Sequence, residues 1–173
     1  MKKYISMFMF AMLACFGFTA CDTETDEEAG GTQLEKMAGL WDVQVHAINE
    51  DGSILYEDPY GIGTFSITTY NTAANNTTEM WFDDNQIFWG VKMKVNVDFA
   101  NASFSAADGT AYDFTKPEGG KVKGMKGKIL YGQGKNIHGV PCDSICVEVA
   151  FDDDDNNGLT YRYTGVRHSG FYE

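Results

Sequence analysis

From residue 39 onward apolar and polar positions alternate, and almost every stretch reads as strand or tight turn. Gly39, Leu40 and Trp41 open the first strand, in which Trp41, Val43 and Val45 alternate with Asp42, Gln44 and His46. Asp51-Gly52 predicts a hairpin turn, because that pair accepts positive φ, and residues 54–57 return before Asp58-Pro59-Tyr60-Gly61 breaks the run. Residues 63–70 predict a strand with Phe65 and Ile67 on one face. Residues 77–83 predict another, where Met80 and Phe82 compete with Trp81 for the inner side. The longest alternation covers residues 86–99: Ile87, Trp89, Val91, Met93, Val95, Val97 and Phe99 fall on one face and Lys92, Lys94, Asn96 and Asp98 on the other. That length exceeds an ordinary strand, which predicts a bend at Gly90. A short hairpin is expected about Asp108-Gly109, then a strand over 121–132 interrupted by Gly124 and Gly127, a connection over 134–140, and strands over 143–151 and 159–172, the last with bulges or breaks at Gly165 and Gly170. Ahead of the sheet, Thr32 and Glu35 have capping-box spacing and predict one or two helical turns through Met37.

Strands in succession joined by short turns predict an all-β fold: an antiparallel up-and-down barrel of eight to ten strands, with a sandwich as the rival. A barrel of this size is either filled by side chains or holds one small apolar ligand. The inward candidates are Phe65, Ile67, Phe82, Trp89, Met93, Tyr131 and Tyr163.

The first 31 residues follow a different pattern. Lys2 and Lys3 precede an apolar run over residues 5–18, too short and wrongly flanked to span a membrane, which predicts an export signal over residues 1–20. Phe18-Thr19-Ala20-Cys21 resembles the lipobox of bacterial lipoproteins, with phenylalanine where leucine is usual. The resemblance implies cleavage before Cys21 and acylation of that cysteine, several acyl chains together giving stable anchoring. Residues 21–31 are acidic and glycine-ended, a tether without a core of its own. Acidic residues directly after the cysteine resemble the surface-export signal of Bacteroidetes lipoproteins; in enteric bacteria Asp22 would instead imply inner-membrane retention. One domain over residues 32–173 follows, expected as a monomer.

Composition agrees with a packed β protein: 43% hydrophobic residues, with 19 glycines against 3 prolines to supply turns and bulges. The net charge of −12 repels nucleic acid backbones and excludes that partner class.

Candidate chemistry is sparse. Asp153, Asp155 and Asn157 fit the opening of a calcium loop, but position twelve is Thr164 where glutamate is needed, and a solvated hairpin turn accounts better for the segment. Cys142 and Cys146 in an exported chain suggest a small disulfide loop, ahead of free thiols or a metal site with His138. No Gly-X-Ser-X-Gly elbow is present, so no catalytic residue is assigned and no cofactor is expected. His46 and His168 would lie on the first and last strands and could meet across a closed barrel. Lys121, Lys123, Lys126 and Lys128, with Lys92 and Lys94, form a basic stripe: either a lysine-guarded sheet edge or a site for an anionic head group.

The Gly39-Leu40-Trp41 opening resembles that of the calycins, the lipocalin and fatty-acid-binding proteins. The resemblance implies that Trp41 plugs the closed end of the barrel beneath Arg162 or Arg167 of the last strand. More closely, Leu40-Trp41-Asp42-Val43, Tyr60-Gly61-Ile62-Gly63-Thr64-Phe65 and Trp89-Gly90-Val91-Lys92 resemble a Bacteroides lipoprotein family called lipid-binding putative hydrolases. That resemblance implies a lipid or other hydrophobic small molecule bound inside the barrel. A lipid or ester hydrolase, or a glycan-binding or structural accessory lipoprotein, is the alternative.

Overall fold

A computed structural model describes residues 31–156 and 158–170. The export signal, the Cys21 anchor, most of the acidic tether and Asn157 therefore lie outside the described residues. Nine strands follow in chain order: β1 (Gly39–Ile48), β2 (Ile54–Glu57), β3 (Phe65–Asn71), β4 (Glu79–Asp83), β5 (Lys92–Asp98), β6 (Ser103–Ala111), β7 (Lys121–Lys135), β8 (Pro141–Phe151) and β9 (Thr160–Arg167). All neighbours are antiparallel, and β1 pairs with β9 along its whole inner length, from Trp41 opposite Arg167 to Ile48 opposite Thr160. Eight strands thus close into a barrel. The ninth, β2, lies on the same edge of β1 as β3, opposite His46–Ile48, while β3 is opposite residues 39–43. Residues 58–64 bulge out between them, held by Asp58, whose carboxylate accepts from the Ile62 and Gly63 backbone N–H groups at 2.8 and 2.9 Å.

Alternation sets the two faces. Trp41, Val43 and Val45 on β1, Phe65 and Ile67 on β3, Met93 and Val95 on β5, and Ile145, Val147 and Val149 on β8 all point inward and are buried. On β4 Met80 and Phe82 take the interior, leaving Trp81 outside, where it meets Tyr70 and Phe114. Closure requires close approach at one position. A Cβ on Gly165 of β9 would strike the Asp42 carbonyl and Val43 Cα of β1, so only glycine lets the seam form there. Gly165 is thus part of a continuous ladder, not a break, and β9 ends at Arg167.

Several local expectations change. Residues 33–37 form hydrogen-bonded turns, with Met37 N and Ala38 N both donating to the Leu34 carbonyl at 2.8 Å, and no α-helix occurs among the described residues. So short a segment forms too few bonds to offset helix nucleation. The alternation over residues 86–99 is not one strand: residues 84–91 are loop and β5 begins at Lys92. Ile87, placed inward by pattern, is 43% exposed. Asp108-Gly109 is a bulge inside β6 where the register with β7 shifts, not a hairpin turn. β7 runs through to Lys135, which shortens the following connection to residues 136–140.

The end of the barrel near residue 41 is sealed. Trp41 is fully buried with Leu34 and Met37. Its indole N–H donates to Thr69 Oγ1 at 2.9 Å, and that hydroxyl donates to the Met37 carbonyl at 2.7 Å. The Arg167 guanidinium lies 4.5 Å from the Trp41 ring centroid and donates to the Ala38 and Lys36 carbonyls and to Asp143. Arg167 is thus the arginine over the plug. Arg162 faces the outer wall, where it donates to Glu148 at 2.6 Å and to the Gly52 carbonyl at 2.9 Å. Replacing Trp41 by alanine removes a large buried side chain and leaves Thr69 short of a donor. We expect a loss of about 3–5 kcal/mol in urea unfolding, with ligand affinity far less affected.

Candidate functional site

The opposite end of the barrel is closed by aromatic rings, and most of its outermost ones come from loops. Phe151 and Tyr161 lie on β8 and β9 and are fully buried. Over them sit Phe88 and Trp89 from the loop at 84–91 and Tyr60 from the bulge at 58–64. Trp89 stacks flat on Phe151, with centroids 4.5 Å apart and planes 2° from parallel. Phe88 meets Tyr161 edge-on at 5.1 Å, Tyr60 at 5.5 Å and Tyr163 at 5.6 Å. Phe88 and Trp89 are only partly buried and Tyr60 is exposed, whereas the strand-borne rings beneath them are not exposed at all.

The loop is built around Asp84. Its carboxylate accepts from the backbone N–H groups of Gln86 (3.0 Å), Trp89 (2.9 Å) and Gly90 (3.1 Å), while its own N–H donates to the Val91 carbonyl at 2.8 Å. These bonds compete with sheet pairing, which is why strand alternation in the sequence does not become strand. Gly90 has φ of +74°, a conformation that favours glycine, and there the chain turns back into β5. Burial pushes the Asp84 carboxyl above the ordinary aspartate range, partly offset by the amides of Trp89, Gln86 and Gly90.

Carboxylates of residues 152–154 latch the rim. Asp153 accepts from Trp89 Nε1 at 3.0 Å and from the Tyr112 hydroxyl at 2.7 Å. Asp154 accepts from the Tyr161 hydroxyl at 3.0 Å, and Tyr161 and Tyr60 share a hydroxyl contact of 2.8 Å. Burial and then the Asp153 hydrogen bond push the Tyr112 hydroxyl up to about 12, and burial followed by the Tyr60 contact raises that of Tyr161 further. Asp153, a candidate calcium ligand, thus spends both oxygens on aromatic donors, Asp155 is exposed, and Asn157 lies outside the described residues.

Of the predicted lining residues, Phe65, Ile67, Phe82, Met93 and Tyr163 are buried together in the barrel, and Phe65, Phe82 and Phe88 surround the Tyr163 ring at 6.1, 5.9 and 5.6 Å. These side chains fill the interior. The Tyr163 hydroxyl is buried and has no hydrogen-bond partner among the described residues. An orphaned buried hydroxyl costs about 1–3 kcal/mol, so its presence calls for a reason. Trp89 lies at this aromatic end on the loop at 84–91, not as a strand neighbour of Met93. Tyr131 does not belong: it is 43% exposed, because the bulge at Gly132 turns β7 away from the core. Tyr60, Phe88, Tyr112, Phe151 and Tyr161 were not among the sequence candidates. Tyr161 and Phe151 share strand parity with Tyr163 and Val149 and were legible in principle, but the loop rings carry no periodic signal.

The remaining constellations stay apart from the interior. Cys142 and Cys146 are free thiols, both on β8 and four residues apart, so roughly 13 Å of extended strand separates them and no disulfide can form without breaking the strand. His46 lies opposite Arg162 and His168 donates its N–H to the Leu40 carbonyl, placing the two histidines at opposite ends of the β1–β9 seam. His168 Nδ1 is 2.7 Å from Asp42 Oδ2, and Ser66 Oγ donates to Asp42 Oδ1 at 2.9 Å. Asp42 thus meets Ser66 and His168 through its two carboxylate oxygens. The lysines of β7 are wall, not edge, since β7 is paired on both sides; Lys126 meets Glu148 at 2.8 Å, and Lys92 meets Asp83 at 2.7 Å.

An eight-stranded antiparallel barrel, plugged by a tryptophan under an arginine and lidded by loop aromatics, is calycin-like. The chain belongs to the family described as lipid-binding putative hydrolase, whose sequence profile matches residues 26–172. No curated protein matches it. The family description and the β-barrel fit a lipid-binding role.

The buried carboxyl of Asp84 yields a pH signature. Its folded-state affinity for a proton exceeds that of the unfolded chain, so its stabilising contribution is full below the ordinary aspartate range and is lost as pH rises through the raised value. Urea unfolding of wild type and Asp84→Asn from about pH 3 to 7 should show this downward component in wild type and not in the variant.

Proposed function

We propose that the protein binds a lipid or another hydrophobic small molecule in the aromatic end of its barrel, with Phe88 and Trp89 giving way to the ligand. One observation carries the reading: one end is sealed by the wholly buried Trp41, Leu34 and Met37, while the other is covered chiefly by partly exposed rings on two loops. Family membership supports the same class of ligand. The mechanism is exchange of one apolar filling for another. Exposing each of the two rings costs about 1.5–3 kcal/mol, and each methylene of the ligand returns about 0.8 kcal/mol, so a chain of about four to eight methylenes is needed to break even. Walls of Phe82, Phe151 and Tyr163 then strip water from the bound chain.

Native mass spectrometry of protein purified without detergent should reveal a retained lipid-sized adduct. Added long-chain lipid should change Trp89 fluorescence saturably as its stack on Phe151 opens. Apo mass alone, with no saturable change, would exclude the reading.

We also propose that the chain is a lipoprotein of the outer membrane, surface-exposed and held by acylated Cys21. The support is sequence alone: the lipobox-like residues 18–21 and the acidic stretch after them. Cys21→Ser should abolish labelling by radioactive palmitate and move the protein from the membrane to the soluble fraction. Unchanged labelling would sink the assignment.

A further inference from the structure

We propose that the Tyr163 hydroxyl is the polar anchor of the ligand, a buried donor that takes a neutral oxygen, an ester carbonyl or an alcohol, at one end of an apolar chain. This rests on the reading that the aromatic end admits a lipid. Other hydroxyls in and around the interior are satisfied within the protein. Thr69 serves Trp41 and Met37, Tyr112 serves Asp153, and Tyr60 and Tyr161 serve each other and Asp154. Tyr163 alone among these has a hydroxyl without a partner, although it is wholly buried. Its cross-strand neighbours, Val45 on β1 and Val147 on β8, have no side-chain acceptor to offer. Asp84 acts on it electrostatically, but the hydrogen bonds of that carboxylate are directed to three loop amides. Phenylalanine would fill the same space with no orphaned group, so packing does not account for the hydroxyl.

Position makes the anchor usable. Phe88, the loop ring that the ligand displaces, lies 5.6 Å from the Tyr163 ring, so a chain occupying its space comes against that residue. A neutral oxygen suits the position, because the Asp84 carboxyl acts electrostatically on the Tyr163 hydroxyl and disfavours a second negative charge there. The chain then takes the space that Phe88 and Trp89 vacate against Tyr163 and Phe151, and the hydroxyl selects oxygenated lipids over plain hydrocarbons.

The test compares wild type with Tyr163→Phe, which removes only the oxygen, using methyl laurate, 1-dodecanol, laurate and tridecane as probes, read by tryptophan fluorescence and native mass spectrometry. Wild type should favour methyl laurate and dodecanol over tridecane by about tenfold, the scale of one buried hydrogen bond, with laurate weaker than its ester at neutral pH. Tyr163→Phe should lose that preference, keep its tridecane affinity, and unfold at the same or higher urea concentration. If wild type binds the probes without preference, or the variant keeps the preference, the anchor is wrong while the lipid-binding reading stands. If the variant is less stable with selectivity intact, the hydroxyl is structural and the anchor is equally wrong. If wild type binds no probe, both readings fall together.

Discussion

Closure of the sheet through β1 and β9 is the constraint on which the rest depends. Eight strands paired edge to edge satisfy their backbone groups around the full circle, but they also fix an interior volume that must be filled. The seam is tight: Gly165 brings β9 against the Asp42 carbonyl, and any side chain there would force the strands apart. Trp41 lies on the same seam, opposite Arg167, so the pairing that closes the sheet also places the guanidinium over the indole and seals one end. A cation over a buried ring contributes about 1–2 kcal/mol, and here the same arginine also satisfies carbonyls of the turn at 33–38.

The two ends are filled by different means, and that difference carries the functional reading. At the Trp41 end, strand and turn interlock through buried hydrogen bonds, and Arg167 ties the turn from outside through partly exposed ones. At the other end the outermost filling is aromatic, loop-borne and latched by carboxylates at the surface, with Asp153 holding Trp89 and Tyr112. Rings contribute large apolar area and few constraints, so a lid made of them can be replaced by another apolar body at modest net cost. Asp84 sets the shape of that lid. By capturing three amides it removes residues 84–91 from the sheet and turns what alternation would make a strand into a loop over the barrel mouth.

The outer wall carries charge without forming a site of comparable definition. Glu148 links Lys126 and Arg162, and these bonds, Lys126 first, hold its carboxyl below the usual glutamate range. Asp83 and Glu79 engage Lys92 and Lys94. Cross-strand pairs of this kind steady a sheet face exposed to water, and because the barrel has no free β7 edge the lysines have no edge to protect.

The strands were legible because their signal is local. Period-two alternation gave β1, β3, β8 and the interior side chains Phe65, Ile67, Met93 and Tyr163 directly, and the Gly-Leu-Trp opening pointed to the barrel type. Other features depended on contacts between residues distant in sequence. Nothing near Arg162 or Arg167 says which reaches Trp41; strand register decides it, because only Arg167 lies opposite the plug. Cys142 and Cys146 look close in sequence, but extended strand carries them apart. Alternation through residues 86–91 was real and yet misleading, because one buried carboxylate offered the backbone better partners than a neighbouring strand. The orphaned hydroxyl of Tyr163 is invisible to any pattern, since being without a partner is a property of the surroundings and not of the residue. Sequence by itself determined a fold of alternating antiparallel strands and most of their inner face. Tertiary structure decided which end is sealed, which is lidded, and that the Tyr163 hydroxyl lies buried without a partner among the described residues.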